Sequence, residues 1–319
     1  MNQHRLHNAE PISRDASRHP SRTALVLGGG GSTGNAWLIG VIAGLYEAGL
    51  DVTDADLIIG TSAGATAAAQ FTGANPTDLL APTLIAVPVP VSAQRTAPAG
   101  SDGHRAQGGP VTDHLERRRR IIAAAEDAAD MRRRMGAVAL DLAAASDPAV
   151  QARWRATVAS RLPSHDWPER RVQITAVNAD TGAPVVFDRH SGVDLVDAVA
   201  ASCASGFAYG IGGGRYIDGG YRSNAENADL AAGYERVLVL SPFGGRALTP
   251  VAWGLHLATQ VDALRAGGSR VETIFPEGSA EYLFGARAMD VSLRPSAAQA
   301  GFDQGRVRVR VERLTEFWR

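Results

Sequence analysis

Thr23-Ala24-Leu25-Val26-Leu27-Gly28-Gly29-Gly30-Gly31-Ser32-Thr33-Gly34, followed by Asp56-Leu57-Ile58-Ile59-Gly60-Thr61-Ser62-Ala63-Gly64, settles the class of this chain. The apolar run Thr23 to Leu27 has the length and character of a parallel strand buried on both faces. A helical pattern runs from Ala36 to Ala48 and is closed by Gly49. Asp56 to Gly60 is a second buried strand, and the Ala-rich segment from Ser62 to Gln70 a second helix. Strand, loop, helix, then strand, turn, helix predicts a parallel sheet with helices packed on its faces.

Outward from there the chain changes character by segment. Residues 1–22 are polar and charged, with no apolar run to serve as a signal peptide; they predict a disordered tail. The stretch 82–110 contains Val87-Pro88-Val89-Pro90 and is then rich in Gly, Ser and Ala, which predicts a flexible linker. Residues 111–165 are helical in pattern and dense in charge. Strands are expected at Arg171 to Val177, Val185 to Phe187, Val237 to Leu240 and Val271 to Phe275. Helices are expected at Asp194 to Ser202, Val251 to Ala266 and Pro295 to Gln304, while Val307 to Trp318 suits an edge strand or a helix.

Composition excludes several functions. The 32 basic and 33 acidic side chains nearly cancel, so whole-chain charge points to no nucleic-acid partner. Cys203 is the only cysteine, which rules out an internal disulfide and a cysteine-based metal cluster. No pair of histidines has metal-ligand spacing. No run of roughly eighteen apolar residues occurs, so no membrane-spanning helix is expected, and cytoplasm is the expected location.

Gly60-Thr61-Ser62-Ala63-Gly64 is a G-x-S-x-G between an expected strand and an expected helix. Such a turn presents the serine hydroxyl above the sheet edge, at a helix N-terminus that stabilises developing negative charge. The bland alternative is a tight turn with an N-capping serine. The glycine run contains a G-x-G-x-x-G, but Asp51 and Asp54 precede the next strand rather than end it, against a dinucleotide site. No Gly-Lys-Ser/Thr follows, against a P-loop. Several unshielded N–H donors at a helix start suit an oxyanion hole instead. Tyr216-Ile217-Asp218-Gly219-Gly220 places an acid between glycines, although alone it reads as a turn.

Taken in order, these elements resemble the patatin-like phospholipase family, which carries a G-G-G-x-[RK]-G loop, a G-x-S-x-G elbow and a D-G-[GA] motif in that sequence. Ala201-Ser202-Cys203-Ala204 looks like the family's A-S-x-A, and Asp218 through Asn224 like its D-G-G-x-x-x-N. The similarity covers about residues 23–80 and 170–242, weakens toward 305, and finds no motif in 82–165. It implies a three-layer α/β fold over 23–319, with a mostly parallel central sheet, helices on both faces and a helical insertion at 111–165. It implies a Ser–Asp dyad that needs no metal or cofactor: Ser62 attacks an acyl ester of a lipid and Asp218 takes its proton. Backbone N–H groups of Gly29, Gly30, Gly31 and Ser32 would hold the oxyanion, with Gly34, Gly60, Gly64, Gly219 and Gly220 as the motif glycines. An aspartate is a weak base, with an ordinary pKa near ~3.9, and needs help from desolvation and close contact.

The chain departs from the family pattern at Thr33, which stands where a basic residue is usual, and at Gly206 and Ala225, where proline is common. Two rivals stay open. One is a Ser–His–Asp triad, for which only His256 follows Asp218 in the required order. The other is a catalytically silent binding protein that keeps the fold. The clusters Arg117 to Arg120 and Arg132 to Arg134 are interleaved with acids and read as a solvated face, or as a patch for peripheral contact with an anionic membrane. Cys203 reads as a small core residue.

Overall fold

The computed structural model describes residues 22–85 and 110–318, with backbone alone at 110–113 and 308–309. The expected tail, apart from Arg22, and the body of the expected linker lie outside these residues. The first half holds β1 (Thr23–Leu27), α1 (Gly31–Glu47), β2 (Leu57–Gly60), α2 (Ala63–Gly73) and α3 (Pro76–Thr83). The helical segment is α4 (Pro110–Ala124), α5 (Ala128–Asp141), α6 (Ala143–Ser146) and α7 (Pro148–Ala159). Then come β3 (Arg171–Asn178), β4 (Pro184–Phe187), α8 (Leu195–Ser202), β5 (Tyr209–Ile211) and β6 (Gly214–Asp218). The last part is β7 (Arg236–Leu240), α9 (Leu257–Ala266), β8 (Arg270–Ile274), α10 (Arg294–Gly305) and α11 (Arg308–Trp318).

Three boundaries differ from expectation and one ambiguity is resolved, each for a local reason. Helix α1 begins at Gly31, inside the glycine run. Helix α3 runs through Pro82, where a linker was expected; Asn75 caps it by accepting from Thr77 N at 3.0 Å, and Pro76 occupies the first turn, where no N–H is needed. The expected helix Val251 to Ala266 is split by Gly254 in the left-handed region (φ 69°) into a single 3-10 turn and α9. At the end, the ambiguity resolves to a helix, because Val311, Leu314 and Trp318 recur at helical spacing and bury one face.

The sheet runs β5-β6-β3-β2-β1-β7-β8, with β4 also on β3. Pairings of β3 with β2, β2 with β1, β1 with β7 and β7 with β8 are parallel; β4, β5 and β6 enter antiparallel. Alternation along the strands splits the core. Leu25, Leu27 and Ile58 face α1, α2, α8 and α10, whereas Ala24, Val26, Leu57 and Ile59 face α9 and a 3-10 turn at Ala228–Ala231. Met131, Met135 and Ala139 of α5, with Ile122 of α4, cover Val177, Ile217 and Tyr221 as a third cluster. The result is helix, sheet, helix, with the helical segment laid over one end.

Two features position the chemistry. Ile174 of β3 pairs with both Gly60 and Phe187, and Ala176 with both Val185 and Asp218. A strand has two edges, and β4 holds one of them in both pairings. Strands β2 and β6 therefore share the other edge, β6 arriving end-on above the C-terminal end of β2, so Asp218 is delivered to the turn that follows Gly60. Second, α1 and α10 cross at backbone contact. A Cβ on Gly40 would stand 2.1 Å from Ala298 O, and one on Gly301 2.4 Å from Trp37 O, so only glycine lets the two helices approach this closely.

Candidate active site

After Gly60 closes β2 the chain turns through Thr61 and Ser62 into α2. Ser62 has φ 53° and ψ −113°, and only Asn227 (φ 57°) shares a positive φ among the described non-glycine residues. Such backbone is costly for a side-chain-bearing residue and persists where its surroundings enforce it. Ser62 sits at the N-cap position of α2 yet caps nothing with its side chain, so the capping account of this serine does not hold. Its N–H donates to Ser202 Oγ at 2.9 Å, and its carbonyl accepts from Cys203 Sγ at 3.1 Å. Cys203 is thus a prop of the turn at the end of α8, not simply a small core residue. Gly64 lets β1 pass: a Cβ there would lie 1.9 Å from Leu27 O.

Asp218 ends β6 and is 8% exposed. Its N–H donates to Ala204 O at 3.0 Å, and its Oδ1 accepts from Gly220 N at 2.8 Å. Burial pushes the carboxyl up to about 6, opposed by the Gly220 N–H, by the neighbouring Ser62 side chain and by the Arg118 cation. Gly219 and Gly220 open a single 3-10 turn. Asn227, which carried no signal in the sequence, ties the two motifs together. Its side-chain amide donates to Thr61 Oγ1 at 3.0 Å, Gly219 O at 3.0 Å and Thr175 Oγ1 at 3.3 Å. Asn224 holds that loop in turn, accepting from the N–H groups of Glu226 and Asn227.

The glycine loop lies beside Ser62: a Cβ on Gly29 would be 3.5 Å from the Ser62 Cβ. Not every N–H of the expected set is open. Gly29 N donates to Ala225 O at 2.8 Å and Thr33 N to Ala288 O at 3.0 Å. Among the described residues, the N–H groups of Gly30, Gly31 and Ser32 have no acceptor, as the first turn of a helix leaves them. Gly34 sits in that turn, its N–H closing onto Gly30 O at 3.0 Å. A basic side chain does reach the loop, from far along the sequence: Arg294 donates to Ser32 O at 2.8 Å and to Asn35 Oδ1 at 3.1 Å. Behind the loop, Glu226 is fully buried with Oε1 accepting from Ser241 Oγ at 2.6 Å, and burial raises its carboxyl to about 7.

His256 is not brought to this site. It occupies the N-cap position of α9, and its Nε2 lies 2.7 Å from Thr249 O. His114, on α4, comes closer, with Nε2 3.4 Å from the Tyr221 hydroxyl. The arginine clusters divide. Arg119 and Arg120 are exposed and Arg133 and Arg134 pair with Asp130, as a solvated face requires. Arg132 instead turns inward to Gly182 O and Arg222 O, and Arg118 lies over the Tyr221 ring. Among the described residues no helix is long and apolar enough to cross a membrane.

A family model described as patatin-like phospholipase matches residues 25–229. No curated protein matches the chain. Among solved structures, VipD from Legionella pneumophila is similar at a TM-score of 0.42 and 14% identity, over 93% of this chain and 67% of that one. The type III effector protein ExoU is similar at a TM-score of 0.31 and 15% identity, over 91% of this chain and 54% of that one.

Proposed function

This chain belongs to the patatin-like phospholipase family, and from that membership we propose that it is a lipid acyl hydrolase working through Ser62 and Asp218. Ser62 Oγ attacks the ester carbonyl carbon and its proton passes to Asp218. The developing oxyanion is held by the N–H groups of Gly30, Gly31 and Ser32, where the dipole of α1 adds to their pull. Collapse breaks the ester bond, the alcohol leaves with the proton from Asp218, and the acyl group stays on Ser62. Water, giving its proton to Asp218, then attacks the acyl carbon, and the fatty acid and free Ser62 are restored. No proton has to travel beyond the pair.

The observation that carries this proposal is the strained, non-capping Ser62 beside a buried Asp218, whose carboxyl the Ser62 side chain helps keep ionised. A carboxyl raised to about 6 is a better base than an ordinary aspartate, yet is still ionised at neutral pH. A fluorophosphonate should label the wild type and leave Ser62→Ala unlabelled. Asp218→Asn should lose at least ~10²-fold in ester hydrolysis, the usual worth of a positioned base. Equal labelling of wild type and Ser62→Ala sinks the serine assignment; a folded, fully active Asp218→Asn sinks the dyad.

A further inference from the structure

Next to Ile217 and Tyr221, on either side of Asp218 in the sequence, lies a small open cleft between α4, α5 and the turn at Ser205 and Gly206. Met135 and Ile217 make its walls apolar, and His114, Arg117 and Arg118 enter it from α4. The Arg118 guanidinium carbon stands 5.4 Å from the Tyr221 ring centroid, three residues past Asp218. Its Nε is buried and has no hydrogen-bond partner among the described residues. No carboxylate among the described residues forms an ion pair with Arg117 or Arg118, while Arg133 and Arg134, one helix on, share Asp130. A buried donor without an acceptor is costly, and nature seldom leaves one without a use. Another cation near the glycine loop, Arg294, already donates to Ser32 and Asn35. With Thr33 in the glycine loop, Arg118 on α4 is a cation near Asp218 that keeps a donor without an acceptor among the described residues.

We propose that Arg118, with Arg117 and His114 beside it, receives an anionic group carried by the substrate, a phosphate or carboxylate on the ester, and so makes the enzyme prefer charged esters over neutral ones. The planar guanidinium fork matches the oxygens of such a group, and the apolar walls strengthen the contact by excluding water. This inference rests on the Ser62–Asp218 assignment above.

The test compares 1-octanoylglycerol with 1-octanoylglycerol 3-phosphate, below their aggregation limits, by the ratio of kcat/KM for the charged over the neutral ester. Using the ratio cancels any general loss of dyad activity, and fluorophosphonate labelling counts competent enzyme. The wild type should favour the phosphate ester; Arg118→Gln should lower the ratio roughly ten- to a hundredfold, as expected for a charge-assisted pair. Arg118→Lys should restore part of it. A ratio unchanged in Arg118→Gln, with the neutral ester still cleaved, overturns the proposal and leaves the hydrolase standing. A wild type that is neither labelled nor active on either ester removes the dyad and this inference together. Inorganic phosphate separates the sources: inhibition of neutral-ester cleavage in wild type but not in Arg118→Gln means the cleft also takes the free ion. No inhibition, with the ratio still falling, means the anion must be tethered to the ester.

Discussion

In the proposed dyad, Asp218 carries two opposed demands at the scale of a single side chain. Its carboxyl must be ionised to accept a proton, and burial resists that ionisation, raising it to about 6. Activity should therefore climb with pH through that region and level above it, visible as an inflection in log kcat/KM. The same shift bears on stability with a fixed sign. A carboxyl that titrates higher folded than unfolded binds its proton better in the folded state, so its contribution is favourable below the unfolded value and is lost as pH rises through about 6. Asp218→Asn should accordingly be inactive but more stable than wild type at pH ~8, by on the order of 1–2 kcal/mol, and nearly equal to it at pH ~4. Urea melts at the two pH values check this; a variant less stable at both contradicts it. A protein that gains stability when an acid is neutralised has kept that acid for its chemistry.

Among the elements, α1 and α10 are the most constrained pair. Gly40→Ala would place a methyl 2.1 Å from Ala298 O, against backbone that cannot swing aside. The helices must part, and the expected loss is ~3 kcal/mol, measured by denaturant midpoint, with weaker fluorophosphonate labelling because α1 starts at the glycine loop beside Ser62. Stability within ~0.5 kcal/mol of wild type would show that the crossing gives way. This crossing also marks where sequence legibility stopped. Strands β1, β2 and β7 were readable because burial on both faces writes an apolar run, and β3 because apolar residues alternate with Arg171, Gln173 and Thr175. Strand β5, Tyr209–Ile211, is too short to write any pattern, and α3 was hidden by prolines that are benign at a first turn and tolerated at a last one. Ser62 and Asp218 were legible because glycines must surround them. Asn227, Arg294 and Arg118 were not, since each acts across a distance in sequence that no local pattern records. Their partners lie up to 262 residues away.

For the molecule as a whole, a net charge of −1 conceals an uneven distribution. Arg119 and Arg120 are exposed on α4, the helix that also brings Arg118 to the cleft. Binding to anionic vesicles should exceed binding to neutral ones, fade as salt shortens the reach of charge, and weaken in Arg119→Gln/Arg120→Gln while hydrolysis of a soluble ester continues. Cosedimentation that ignores both lipid charge and salt would return these arginines to an ordinary solvated face. The α1–α10 crossing has a further bearing, on how the protein comes into being. Helix α1 is apolar around nearly its whole circumference, with Trp37, Leu38, Ile39, Val41 and Ile42 all buried, and the partner that covers it is translated more than two hundred residues later. Until then a nascent chain carries a sticky, uncovered helix, and the loop at its head has no Arg294 to brace it. Birth order thus predicts that a nascent chain stopped before α10 is held by chaperones, and that the glycine loop is braced only once Arg294 has been made.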